Sequence, residues 1–137
     1  MAQRLSRSNM RDAVLAASFM FFKVKGIILP SDIAKIFGFD DGTVRYIILK
    51  HPEYFIVIKR SRIIAEPAPL LLDIGPNLVQ HYGPVLLQRA NFKLSKLIAT
   101  YEEDLYKIKP QLEELICLAR SVAQHWQNRL FEQNRKR

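Results

Sequence analysis

Pro30, Gly38, Asp40 and Pro52 punctuate the middle of this chain so closely that few arrangements of residues 30–52 remain open. Proline disfavours helix in the residue before it, which predicts extended backbone at Leu29. Ser31 then caps a short helix, its hydroxyl accepting from an orphan backbone N–H, and Asp32 is favourable in the first turn. Ile33, Ala34, Ile36 and Phe37 give that helix one apolar side, and Gly38 stands where a left-handed C-terminal cap belongs. Asp40 is a second N-cap and opens a helix through Lys50, ended by Pro52. Val44, Ile47, Ile48 and His51 fall at i, i+3, i+4 and i+7 and form its buried stripe. Thr43, Arg45, Tyr46, Leu49 and Lys50 are left on the other side or its flanks.

Residues 54–58 and 62–65 follow, rich in aromatic and β-branched side chains and joined by Lys59-Arg60-Ser61. That composition predicts two strands and a short polar turn, a β-hairpin. Its tip carries Lys59, Arg60 and Arg62, and three cations on a projecting hairpin suit phosphate contact. The bland alternative is a solvated turn.

Taken with the apolar helix before Pro30, these elements resemble the winged helix-turn-helix superfamily over residues 10–66, about half the chain. The resemblance is a pattern of elements and points to no individual family. It implies that Gly42, Thr43, Arg45, Tyr46, Leu49 and Lys50 lie on the groove-facing side of a recognition helix, with Lys59, Arg60 and Arg62 on the wing. Asp40 and Asp41 depart from what a DNA-reading helix favours at its start, because carboxylates repel phosphates, although an Asp can accept from a cytosine amino group. Some winged-helix domains bind proteins instead.

Charge supports a polyanion partner. The 137 residues carry a formal net charge of +8. Residues 1–66 hold eleven Lys and Arg against six Asp and Glu, and residues 67–137 hold ten against seven. Such a balance favours nucleic acid first and an anionic membrane surface second. Val14 to Phe22 is apolar but too short to span a bilayer, and no small-residue cleavage site follows it. A core helix capped by Asn9 accounts for it better, with Arg4 and Arg7 as an N-terminal arm that can reach DNA. These features predict an intracellular protein, in cytoplasm, nucleoid or nucleus.

Gly75-Pro76 and Gly83-Pro84 are turn signals and predict that residues 67–83 form a packed connecting segment with a short helix near 77–81. From Pro84 the pattern is helical. Leu87, Ala90, Leu94, Leu97, Tyr101, Leu105 and Ile108 recur in steps of three and four. Pro110 breaks or kinks this run, and Leu112, Leu115, Ile116, Ala119, Val122, Ala123, Trp126 and Leu130 form a second. Two such helices can fold back as a hairpin or pair with another chain. Because a three-helix core is small, the stripes favour a homodimer, with Leu87, Leu94, Leu97, Tyr101, Leu105, Leu115, Ala119 and Trp126 at the interface. The basic end, Arg129 and Arg135-Lys136-Arg137, reads as a solvated tail.

Catalytic chemistry finds little support. His51, His81 and His125 lack metal-ligand neighbours at i+3 to i+5, and no phosphate-binding glycine loop or nucleophile motif occurs. Cys117, the single cysteine, falls in an apolar helix pattern and reads as a small core residue. No cofactor is implied. The expectation is therefore a mainly α protein: a winged helix-turn-helix unit over 1–66, a connecting segment over 67–83, and a two-helix dimerisation extension over 84–137. Its expected role is duplex DNA binding, as a transcriptional regulator or replication accessory factor. The alternatives are a protein-interaction adaptor whose C-terminal helices dock a partner, or an RNA-binding module.

Overall fold

The computed structural model of the protein describes residues 7–103 and 109–135. These form α1 (Arg7–Lys25), α2 (Pro30–Phe37), α3 (Asp41–Lys50), β1 (Phe55–Lys59), β2 (Ile64–Pro67), α4 (Pro69–Glu103) and α5 (Lys109–Arg135). The chain is mainly helical with one small antiparallel sheet.

Helix α1 is the axis of the core. Every residue from Ala13 to Phe21 is buried, Ser18 included, because α2, α3, α4, α5 and β2 all pack around it. A helix apolar on all sides is stable only when enclosed in this way. Asn9 does not cap it. It lies inside the helix, which already runs from Arg7, and its Oδ1 accepts from the Tyr82 hydroxyl at 3.3 Å.

Helix α2 starts two residues earlier than capping by Ser31 would give. Pro30 occupies the first helical position, Leu29 is extended (φ −120°, ψ 100°), and no side chain caps the end. Proline suits that place because its fixed φ is helical and it has no N–H to leave unpaired. Gly38 closes α2 at φ +74°, a left-handed conformation that glycine adopts without a Cβ penalty. Asp40 caps α3 as expected, accepting from the Thr43 backbone N–H at 3.0 Å and its hydroxyl at 3.2 Å. Val44, Ile47 and Ile48 are buried beneath α3.

The hairpin pairs Phe55 with Pro67, Ile56 with Glu66 and Val57 with Ala65, then shifts register so that Lys59 meets Ile64. Its turn, residues 60–63, is one residue longer than the sequence suggests. Ile28 exchanges both backbone hydrogen bonds with Ala65, at 2.8 and 3.0 Å, so β2 is flanked on both sides. Phe55 and Ala65 face the core, while Ile56 and Ile58 are exposed on the other face of β1.

The connecting segment expected over residues 67–83 does not exist as such. Helix α4 begins at Pro69 and runs without interruption through both Gly-Pro steps. The reason lies in which way each residue faces. Gly75 and Gly83 are buried, and the prolines after them are exposed. A Cβ on Gly75 would stand 2.3 Å from Phe19 Cδ1, so only glycine lets α4 lie this close to α1. Glycine also removes the Cβ that normally clashes with a following proline ring. The carbonyls the prolines leave unbonded belong to Leu72 and Gln80, both exposed, where water can satisfy them.

Helix α5 folds back antiparallel on α4. Tyr101 donates to Glu113 near one end of the pair, and Gly83 meets Leu130 near the other. The indole N–H of Trp126 donates to the Met20 carbonyl at 2.8 Å, fastening α5 to α1, and the ring lies 6.3 Å from that of Phe19. Two residues assigned from sequence to a dimer interface, Ala119 and Trp126, are thus buried inside one chain. Leu94 and Leu115 also pack partly against this core, Leu87, Leu97 and Tyr101 stay half-buried, and Leu105 lies outside the described residues. Cys117 is exposed, not a core residue, because Ile116 and Ala119 take the inward positions of its turn.

Candidate nucleic-acid interface

Three elements converge on an open groove of about 670 Å³. Helix α2 supplies Pro30, Ser31 and Asp32 from its first turn and Lys35 from its last; α3 supplies Asp41, Gly42, Arg45, Tyr46 and Leu49; the hairpin tip supplies Arg60, Ser61, Arg62 and Ile63. The caps explain this convergence. Gly38 reverses the chain after α2 and Asp40 restarts it, which sets α3 beside α2 with its polar side turned out.

Of the residues nominated for nucleic-acid contact, Arg45, Tyr46, Arg60 and Arg62 line this groove together. Thr43, Lys50 and Lys59 do not line it. The Thr43 hydroxyl is engaged by Asp40, and the Lys50 ammonium lies 5.4 Å over the Tyr46 ring. Arg7 is the first residue of α1, and Arg4 lies outside the described residues.

The groove is basic but not uniformly so. Lys35, Arg45, Arg60 and Arg62 face Asp32 and Asp41. Asp41 holds Arg45 in an i,i+4 ion pair at 3.2 Å, with both side chains about half exposed. Exposed pairs of this kind contribute only about 0.3–0.5 kcal/mol, so a phosphate or a base edge can compete for the guanidinium. Asp40 is committed to capping. Among the described residues, neither Arg60 nor Arg62 takes part in an ion pair. Tyr46 is 59% exposed and Leu49 is 43% exposed, giving the α3 wall an apolar component.

Sequence reasoning missed two residues. Lys35 enters the groove from α2, and the exposed basic position in that helix's last turn was the available signal. Arg89 was invisible because its partners lie some fifty positions away. Its Nε donates to the Phe37 carbonyl at 2.9 Å and its Nη2 to the Gly38 carbonyl at 2.7 Å, while the guanidinium lies 4.9 Å over the Phe39 ring. Burial pulls its pKa below the usual arginine value. This clamp fixes the α2–α3 turn against α4.

Among the described residues, no group of three His, Cys, Asp or Glu side chains is placed to hold a metal ion. No described helix is long and apolar enough to cross a membrane. Comparison with protein-family models, with curated proteins and with solved structures finds no match for this chain.

Proposed function

We propose that residues 1–66 act as a winged helix-turn-helix unit that binds duplex DNA, serving a regulatory or replication-accessory role. The observation that carries this is the shared groove: Arg45 and Tyr46 on α3 face the same space as Arg60 and Arg62 on the hairpin tip. Helix α3 would enter the major groove while the tip arginines grip phosphates, so backbone contact and base reading come from different elements. One protomer is taken as the binding unit, since α5 already covers much of the stripe that motivated a dimer.

The test is a fluorescence-anisotropy titration against mixed-sequence duplex at several salt concentrations, with mass checked by light scattering. Binding tighter than about 1 µM at low salt that weakens steeply as salt rises supports the proposal, because released counterions give that dependence. Arg45→Ala should flatten the preference among duplex sequences by about 1–3 kcal/mol.

A second reading is a protein-binding adaptor. It is favoured by the Asp41–Arg45 pair and by the exposed Tyr46, Leu49, Ile56 and Ile58. Negligible duplex affinity even at low salt would select it.

A further inference from the structure

Helix α4 carries a basic face that the groove does not include. Between Asp73 and Glu102 the chain has no Asp or Glu, while Arg89, Lys93 and Lys96 recur at i, i+4 and i+7, one side of the helix. Arg89 is engaged with the α2 carbonyls, which leaves Lys93 and Lys96, and among the described residues neither takes part in an ion pair. Between them and Arg89 lies Phe92, 61% exposed, with the Lys96 ammonium 4.7 Å over its ring. Among the described residues it is the most exposed of the large apolar side chains, and Lys93 and Lys96 stand beside it on the helix.

This patch adjoins the groove. The Lys93 stem lies against Gly38, where a Cβ would be 3.2 Å from its Cγ. Gly38 is one turn of α2 beyond Lys35, which lines the groove. Because the Arg89 clamp ties this turn to α4, the two surfaces hold a fixed relation. Cations that follow a backbone, beside an aromatic face open to solvent, are what an unpaired strand requires: phosphates meet the lysines and a base stacks on the ring. A fully paired duplex offers no free base face to Phe92.

We propose that α4 binds a single strand that leaves the duplex held in the groove, with Phe92 as the stacking platform and Lys93 and Lys96 as phosphate contacts. This rests on the duplex-binding reading of the groove and makes the preferred ligand a duplex with a single-stranded extension.

The experiment titrates the full chain against a blunt duplex, the same duplex with an eight-nucleotide overhang, and the overhang strand alone, each over a salt series. Wild type should bind the overhang duplex about tenfold more tightly than the blunt one, the scale of one base–aromatic stack. Phe92→Ala should abolish that gain and leave blunt-duplex affinity unchanged. Lys93→Gln with Lys96→Gln should reduce the salt slope on the overhang duplex by about 1.4 units, at about 0.7 per single-strand phosphate contact. Equal affinity of wild type for blunt and overhang duplexes overturns the proposal while duplex binding stands. A gain that survives Phe92→Ala also overturns it. Binding of the overhang strand alone that depends on Phe92, with no affinity for blunt duplex, keeps the α4 site and removes the groove reading. No binding to any of the three overturns both.

Discussion

Residues 30–52 and residues 69–103 carry the same kind of punctuation, proline and glycine at short intervals, yet it ends helices in the first region and leaves one intact in the second. Pro30 starts α2, Gly38 ends it, and α3 stops at Lys50 before Pro52. Gly75-Pro76 and Gly83-Pro84 both lie inside α4, which at 35 residues is about 52 Å long. The difference is what stands against each glycine. Gly38 is held at positive φ by its own cap, a local matter. Gly75 is held helical by the Phe19 ring, a residue more than fifty positions away. Local signals decide structure where packing does not contest them, and lose where it does.

The strongest way to break this comparison is to loosen the packing itself. Trp126→Ala removes the ring that contacts Phe19 and the hydrogen bond to Met20, and should cost about 3–5 kcal/mol in urea unfolding. A loss under about 1 kcal/mol would mean that α5 contributes little to the core. Gly75→Ala comes next. Its Cβ has no room beside Phe19, so overpacking should cost about 2–3 kcal/mol despite alanine's better helix propensity. Gly83→Ala meets the tip of Leu130 at 3.2 Å and Val79 Cγ1 at 3.3 Å, both looser than the Phe19 contact at Gly75, and should cost less. If Gly83→Ala proved the worse of the two, close approach to α1 would not be what carries α4 through its prolines.

The local caps should give smaller effects. Gly38→Ala forces alanine to φ +74° and should cost about 1–2 kcal/mol. Asp40→Ala removes the α3 cap and should cost about 1 kcal/mol, while duplex affinity at neutral pH changes little.

The smallest effect sharpens the picture at the α5 side. Burial, with Arg129 and Lys23 nearby adding like-charge repulsion, holds the His125 imidazole below its ordinary pKa. The folded protein therefore takes up this proton less readily than the unfolded chain. Its contribution to stability is full above about pH 6.5, the unfolded value, and is lost as pH falls below that. Wild type should lose more stability between pH 7.5 and 5 than His125→Phe does. Equal losses would show that His125 is not the group responsible.

These contrasts also explain what could be read from the sequence. The α2–α3 turn was legible because its determinants, Gly38 and Asp40, act within four residues. So were the strands and the arginines at their tip, since alternation and turn chemistry are short-range. The continuity of α4 was not legible, because nothing near Gly75 announces Phe19. Nor was the Arg89 clamp, whose acceptors are backbone carbonyls and leave no mark in side-chain pattern. The interface assignment of Ala119 and Trp126 failed for a related reason: an apolar stripe records that a face is covered, not by which chain.

The central claim is that the groove between α3 and the hairpin tip holds DNA phosphates, and the most direct test is the salt dependence of duplex binding for wild type and Arg60→Ala/Arg62→Ala. Both arginines are exposed and lie outside the core, so the fold should survive. If they contact phosphates, the slope of log K against log salt should fall by about two units and affinity should drop for every duplex sequence alike. An unchanged slope and affinity would contradict the account and move the binding surface elsewhere.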